Sequence, residues 1–116
     1  MHEYQNLEVV QRARRLIPRV YAMTARFPAE EKYVLVTQMR RAVHSIGANV
    51  VEGSGRRTTG EYRQFVSQGT GSAFELEWHV TIACDLGYIT EEEREEMTTE
   101  IVILKKLLYR FGETLR

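Results

Sequence analysis

Residues 58–87 read TTGEYRQFVSQGTGSAFELEWHVTIACDLG, and this stretch decides the fold class. Its small and apolar residues recur at alternating steps of four and three, which is the spacing of one helix face. The members of this stripe are Tyr62, Val66, Gly69, Ala73, Leu76, Val80 and Ala83. Thr58 and Glu61 form the pattern of a capping box, and Gly87 follows the last turn. The stretch therefore predicts one long helix from about Thr58 to Leu86.

A second helix is predicted upstream, from about Ala29 to Gly53. Glu30 and Glu31 fall in its first turn, where the helix dipole favours negative charge. Its stripe is formed by Leu35, Met39, Ala42, Ile46, Asn49 and Gly53, and Val43 and Val50 widen it.

A further helix is predicted towards each end of the chain. Thr90 opens a second capping box, and the stripe after it is formed by Met97, Ile101, Leu104, Leu108, Phe111 and Leu115. The N-terminal stripe consists of Val10, Ala13, Ile17, Val20, Thr24 and Phe27. Pro18 inside it predicts a kink or a break, because proline removes a backbone donor. Four long helices with short connections predict an all-α, antiparallel up-and-down four-helix bundle that forms a single domain over residues 1–116.

The composition excludes several classes of protein. A hydrophobic share of 43% with 28% charged residues excludes a disordered chain. The longest uncharged run, residues 64–74, is too short to span a bilayer, and the acidic and polar residues 1–6 are unlike a signal peptide. The single cysteine, Cys84, allows no intramolecular disulfide and suits a reducing compartment. We expect a cytoplasmic protein that does not associate with membranes.

The sequence lacks the motifs that would indicate catalysis. Neither His44 nor His79 has the glutamate three residues earlier that di-iron bundles require, although Glu75 and His79 are spaced to pair. The glycine-rich residues 53–57 lack the Gly-Lys-Ser/Thr ending of a phosphate-binding loop. Cys84 has no adjacent basic cluster that would activate its thiol. We therefore expect no enzyme activity, no bound metal and no cofactor.

A net charge of zero hides an asymmetry between the two halves of the chain. Residues 1–58 hold ten Lys+Arg and five Asp+Glu, whereas residues 59–116 hold six and eleven. Either the charges pair where the helices meet, or one face presents a basic stripe to RNA or DNA. The candidate nucleic-acid-binding residues are Arg40, Arg41, Arg56, Arg57 and Arg63. The last three are expected to cluster at one end of the bundle, where salt bridges between subunits are the competing role.

Polar residues and a broad apolar helix indicate further contacts. Ser45 and Asn49 lie on or beside the stripe of the second helix, so we expect each to bond to a neighbouring helix or loop. Glu52 is placed to pair with Arg56.

The apolar run Ile101–Leu104 covers the circumference of the last helix, which indicates either a second subunit or covering loops. The candidate oligomer-interface residues are Val102, Ile103, Leu107 and Tyr109.

The central block of the sequence resembles a known family of four-helix bundles, the proteins encoded by intervening sequences in bacterial 23S ribosomal RNA genes, often labelled S23 ribosomal protein. The resemblance rests on Arg40-Arg41-Ala42, Ser45-Ile46, Asn49, Glu52-Gly53, Gly55-Arg56, Glu61, Phe65, Gly71-Ser72, Glu75-Leu76-Glu77 and Leu86-Gly87-Tyr88-Ile89. It extends over nearly the whole chain. Pro18 and Gly69 depart from the pattern, since the first helix of the family is usually continuous and alanine is more usual at residue 69.

The resemblance implies an up-and-down bundle that assembles as a homopentamer. It also implies kinship with accessory proteins of diversity-generating retroelements, which bind nucleic acid and a reverse transcriptase. We therefore expect an accessory scaffold whose partners include RNA or DNA and a reverse transcriptase or another protein. The alternative is a protein–protein assembly module with no nucleic-acid binding, in which the arginines pair with the acidic half of neighbouring subunits.

Overall fold

The computed structural model describes residues 3–116, which form four α-helices. They are α1 (Glu8–Thr24), α2 (Leu35–Ser54), α3 (Thr59–Asp85) and α4 (Glu91–Glu113), with short 3-10 turns at Tyr4–Asn6 and Ala29–Glu31. No strand occurs within the described residues, so the all-α prediction is confirmed. Met1 and His2, which belong to the segment compared above with a signal peptide, lie outside the described residues. None of the four helices reaches the length and apolar character that crossing a membrane requires.

The helices form an antiparallel bundle in which neighbours in sequence pack side by side and α1 closes against α4. The lower end holds the loop of residues 55–58, and there the ring of Tyr62 lies 5.4 Å from that of Phe111. The upper end holds the loop of residues 86–90, where the rings of Phe27 and Tyr88 are 5.3 Å apart. The molecule measures 43 × 24 × 19 Å, which fits helices of this length lying roughly parallel.

The apolar stripes meet in one buried core. All seven stripe residues predicted for α3 are buried. Four of the six stripe residues predicted for the first helix are buried, namely Ala13, Val20, Thr24 and Phe27. The other two, Val10 and Ile17, are only half-buried, and their neighbours Val9 and Leu16 are buried instead. Both members of each pair are apolar, so periodicity alone does not distinguish which of them meets α2 and α4.

The predicted start of the second helix is wrong, and so is a break at Pro18, one of the two alternatives predicted there. The second helix does not start near Ala29, because residues 29–31 form a 3-10 turn and Val34 has a non-helical backbone with φ −117° and ψ −91°. The carboxylate of Glu31 accepts a hydrogen bond from the Tyr88 hydroxyl at 2.7 Å, which joins the turn to the loop after α3. In α1 the helix continues through Pro18 without a break. Pro18 lies on the exposed side, where water can satisfy the carbonyl that loses its partner.

Of the two predicted capping boxes, the one at Thr90 is complete and the one at Thr58 is only half formed. At the start of α4 the Thr90 hydroxyl accepts from the Glu93 backbone at 3.1 Å, and the Glu93 carboxylate accepts from the Thr90 backbone at 2.9 Å. At the start of α3 the Thr58 hydroxyl accepts from the Glu61 backbone at 3.1 Å, but the Glu61 carboxylate contacts that hydroxyl instead of completing the box. Gly87 ends α3 with a φ of 79°, a left-handed conformation that favours glycine.

Candidate nucleic-acid interface

The outward side of the α1–α2 hairpin carries cations and almost no carboxylates. Residues 9–29 and 32–51 contain eight arginines and lysines and neither aspartate nor glutamate. Besides Lys32, whose ammonium lies over the Tyr33 ring, four of these cations are exposed and their side chains form no ion pair or hydrogen bond with residues 3–116; they are Arg14, Arg15, Arg19 and Arg41. We call these four residues the cationic surface. Arg15 and Arg19 also line depressions on the α4 side that contain Glu93, Glu96 and Glu100, although neither pairs with these carboxylates. Guanidinium groups without a paired carboxylate attract phosphate.

The three α1 arginines of this surface were not among the sequence-predicted candidates. Arg14 and Arg15 are adjacent in one turn, and Arg19 lies four residues after Arg15 on the same side of the helix. A signal was present, because residues 9–29 hold five arginines and no acidic residue. The sequence does not show which of those arginines pair with carboxylates of α4, because that depends on how the two helices pack.

Arg40 has a structural environment. Its guanidinium Nε donates to the Thr24 hydroxyl at 3.0 Å, and the guanidinium lies 4.3 Å from the centre of the Tyr21 ring. The Thr24 hydroxyl in turn donates to the Val20 carbonyl at 2.8 Å. The half-buried Arg40 thus links α2 to the last turns of α1, whereas its neighbour Arg41 is exposed.

The other three predicted arginines lie at the lower end of the bundle. Arg56 pairs with Glu52 at 2.9 Å, as predicted, and its guanidinium lies 4.6 Å from the centre of the Phe65 ring. Arg63 donates to the backbone carbonyl of Leu115 at 2.7 Å, which ties α3 to the end of the chain. Arg57 is exposed and has no partner among the described residues. The cluster therefore offers one unengaged guanidinium.

Charges also meet where α1 packs against α4. Arg12 lies 3.6 Å from Glu100, and Arg26 lies 2.5 Å from Glu93. The backbone hydrogen bond from Thr90, and then the Arg26 guanidinium, hold the pKa of Glu93 below its ordinary value. Besides the ion pair between Arg94 and Glu91, a surplus of carboxylates without a cation partner among residues 3–116 remains at the upper end, formed by Glu30, Glu31, Asp85, Glu92, Glu95 and Glu96. Charge pairing between helices thus accounts for only part of the asymmetry.

A groove of about 300 Å³ opens between α1 and α2 beside Arg14. Its apolar lining is formed by Val10, Ala13, Ile17, Gly47, Ala48 and Val51. Its polar lining is formed by Gln5, Gln11, Arg14 and His44, with Tyr4 at one side. His44 Nε2 is 2.9 Å from the Tyr21 hydroxyl, and this hydrogen bond fixes the imidazole across the two helices.

Of the predicted structural polar side chains, those of Asn49 and Glu52 make local bonds, and the bond expected for Ser45 is not formed within the described part of the chain. The Asn49 amide donates to the Ser45 carbonyl at 2.8 Å, within α2, so the expected bond to another helix is wrong for Asn49. The physical reason is its neighbour, because Asn49 lies against Gly69 of α3, which has no side chain to receive a bond. The half-buried Ser45 hydroxyl makes no hydrogen bond to residues 3–116.

Of the predicted interface residues, only Tyr109 is exposed, at 69%. Val102, Ile103 and Leu107 are half-buried, and Leu107 lies where α4 meets the start of α1, beside Leu7. The chain itself therefore covers one flank of α4.

Exposed aromatics on α3 supply a surface that the sequence analysis missed. Phe74 and Trp78 lie one turn apart and are 57% and 62% exposed. Phe74 and Tyr109 border a shared depression, and Lys105 Nζ lies 3.8 Å from the centre of the Phe74 ring. We call Phe74, Trp78 and Tyr109 the aromatic surface. The available signal was an aromatic pair four residues apart that lies outside the buried stripe of α3.

The remaining chemistry-bearing side chains have local partners. His79 Nε2 lies 3.4 Å from the Glu75 carboxylate, the pairing that their spacing predicts. Burial, and then the hydrogen bond to Glu91, raise the pKa of the Cys84 thiol, which disfavours the reactive thiolate. Within residues 3–116, no three His, Cys, Asp or Glu side chains are grouped so that they could hold a metal ion.

The protein is a helical bundle, because its four antiparallel helices pack around one core. Exposed cations lie on the α1–α2 hairpin, and exposed aromatic residues lie on α3 and α4. The family model described as 23S rRNA-intervening sequence protein matches residues 5–110, and the chain belongs to that family. The resemblance inferred from the sequence is thereby confirmed. A protein of unknown function from the S23 ribosomal protein family of Bacteroides thetaiotaomicron has the same fold, with a TM-score of 0.83 and 23% identity over 90% of this chain and 95% of that chain. No curated protein matches this sequence.

Proposed function

We propose that this protein is a non-enzymatic cytoplasmic scaffold that assembles with copies of itself and binds RNA or DNA through the cationic surface. The observation that carries the proposal is the outward side of α1 and α2, where four arginines lack partners and no carboxylate occurs in residues 9–29 or 32–51. Arginine suits this role because its planar fork donates two hydrogen bonds to one phosphate.

The location of these arginines favours contact with phosphate over pairing with carboxylates of the same chain. Arg14 and Arg41 lie on the two helices that border the groove, and Arg15 and Arg19 extend the charge along α1. Phosphate contacts position a nucleic acid without reading its sequence. The proposal therefore names a backbone-binding surface that accepts RNA and DNA.

The aromatic surface supports self-assembly. Exposed contiguous apolar groups mark interaction sites in soluble proteins, and Phe74, Trp78 and Tyr109 lie on α3 and α4, away from the cationic hairpin. Contacts there would leave the arginines of α1 and α2 open to nucleic acid. The family resemblance favours five copies, and a reverse transcriptase or another protein partner would be a competing occupant of the aromatic surface.

The second candidate is an assembly module that binds no nucleic acid. The observation in its favour is the acidic upper end of the bundle, where the carboxylates at the start of α4 outnumber the nearby cations. In such an assembly, Arg15 and Arg19 of one copy would pair with these carboxylates of the next.

The test is the salt dependence of nucleic-acid binding, measured by fluorescence anisotropy of a labelled single-stranded RNA. Replacing Arg14, Arg15 and Arg19 by Gln should lower the affinity and reduce the log–log salt slope by about 2, at about 0.7 per lost phosphate contact. The control replaces Lys106 and Arg110 by Gln, two exposed cations of α4 without ion pairs to residues 3–116. Because both line the depression beside Phe74 and Tyr109, the mass of each variant is measured in parallel to show that assembly is unchanged.

The control should leave both the affinity and the slope close to wild type. If the α1 variant binds RNA as the wild type does, the cationic surface is not the binding surface. If that variant instead loses its oligomeric mass while RNA binding is absent in every protein, the assembly module is the correct function.

A further inference from the structure

The groove between α1 and α2 lies within the proposed nucleic-acid surface but is itself apolar. Ala13 and Gly47 face each other across it, and a Cβ added to Gly47 would lie 3.3 Å from the Ala13 Cβ. The helices thus approach as closely as small side chains allow. Because the flanking Val10, Ile17 and Val51 are larger and only half-buried, a recess remains between them on the outer side.

The polar groups around this recess include two uncharged amides and a cation, all three of them from the N-terminal segment and α1. Gln5 and Gln11 supply amides, and the Gln11 amide donates to the Gln5 backbone carbonyl at 3.2 Å, which holds it at the rim. Arg14 lines the groove without an ion pair, and Arg41 is exposed one turn before His44 on α2. Among residues 3–116, no carboxylate lines the groove.

This combination matches a flat heteroaromatic ring that carries a phosphate. The apolar recess contacts the faces of the ring, amides bond to its polar edge, and an arginine neutralises the phosphate. Charge complementarity selects the occupant, because an acidic or phosphorylated ligand is drawn to Arg14 and Arg41 whereas a basic partner is repelled. A duplex keeps its base faces stacked inside, so only an unpaired base can insert.

We propose that the α1–α2 groove binds an unpaired nucleobase of a single-stranded nucleic acid, with Arg14 on the adjoining phosphate. The inference rests on the proposed function and deepens it, since it makes the bundle a single-strand binder with phosphate contacts along α1. Duplex RNA or DNA then binds more weakly, through the arginines alone.

The variant that tests this is Ala48→Phe. Ala48 is exposed and lines the groove, so a phenyl ring there fills the recess without entering the core. Ala22→Phe is the matched control, because Ala22 is an exposed alanine that lines the separate depression between α1 and α4. The probes are a labelled oligouridine and a blunt RNA duplex of the same length, measured at one salt concentration.

For the wild type we expect tighter binding of the oligouridine than of the duplex. Ala48→Phe should weaken oligouridine binding about tenfold, the loss of roughly one base contact, and change duplex binding less than about twofold. Ala22→Phe should change neither. An unchanged oligouridine affinity in Ala48→Phe, or an equal loss of both probes, overturns the groove assignment while leaving the proposed function intact.

A second measurement does not depend on the folding of a variant. An oligonucleotide with one 2-aminopurine should change its fluorescence when the wild type binds it, because the base leaves its stacked neighbours for the groove. Binding without any fluorescence change at any position of the label overturns the inference. Absence of binding by all probes at low salt contradicts the proposed function itself. Loss of self-association in Ala48→Phe with unchanged RNA affinity assigns the groove to a protein contact and also overturns the inference.

Discussion

Gly69 lies where α3 meets α2, and its replacement by alanine tests whether the close approach of these helices is a requirement of packing. A Cβ at this position would lie 3.0 Å from the carbonyl oxygen of Ile46, 3.5 Å from the Asn49 Cβ and 3.7 Å from the Leu108 Cδ2. The carbonyl belongs to the backbone of α2 and cannot rotate away as a side chain can. The two helices must therefore separate to admit the methyl group.

Two opposing effects decide the sign of the change. Alanine is favoured over glycine in a helix interior by about 1 kcal/mol. Overpacking a tightly packed contact costs about 1–3 kcal/mol. We expect Gly69→Ala to lower the free energy of unfolding by about 1 kcal/mol. Gly71→Ala, two residues along the same helix, should raise it by up to about 1 kcal/mol, because Gly71 is exposed and no atom lies within 4 Å of its added Cβ.

The assay is urea unfolding followed by circular dichroism. Each variant is measured at the same set of protein concentrations as the wild type, so that the effect of association on stability can be compared between variants. The two variants should differ by about 2 kcal/mol, with urea m-values close to that of the wild type. If Gly69→Ala proves as stabilising as Gly71→Ala, the contact with the Ile46 carbonyl does not limit the packing of α2 against α3. The glycine would then lack the packing role assigned to it.

Three further predictions follow from the caps, a loop tyrosine and the aromatic surface. Thr90→Ala should lower the free energy of unfolding by about 1 kcal/mol and Thr58→Ala by less, because only Thr90 belongs to a complete capping box; equal losses in urea unfolding would contradict this. The hydrogen bond to a glutamate raises the pKa of Tyr88 from 10.0 to about 12, so the stability that this bond gives is complete below pH 10 and is lost as the pH rises through about 12. The stability difference between wild type and Tyr88→Phe should shrink in that window, and a constant difference would refute the linkage. Trp78→Ala should reduce the mass of the assembly in light scattering, whereas Tyr33→Ala, which removes another exposed aromatic, should not; equal effects would remove the aromatic surface from the interface.

Periodicity predicts most of the fold because it reflects burial directly. In α3 the residues at steps of four and three are the buried ones, from Tyr62 to Ala83. It fails at the start of α2, where the backbone of Val34 leaves the helical region and Glu31 bonds to Tyr88 in a distant loop. Such a tertiary contact has no counterpart in local spacing.

The candidate site was less predictable, since the availability of a guanidinium depends on its partners. Arg40 and Arg41 are adjacent in the sequence, yet Arg40 bonds to Thr24 whereas Arg41 is exposed. Arg63 is engaged by a carbonyl 52 residues away. The absence of carboxylates from residues 9–29 was readable from the sequence. The groove was not, because it arises from the packing of Ala13 against Gly47.

The most direct test of the account is the mass of the protein in solution, measured by light scattering with and without a single-stranded RNA. We expect a mass several times 13.5 kDa for the protein alone, about fivefold as the family resemblance implies, and a further increase when RNA is added. A mass that stays at 13.5 kDa in both samples, at concentrations well above those of the binding assays, would contradict the claim that this bundle is a nucleic-acid-binding scaffold.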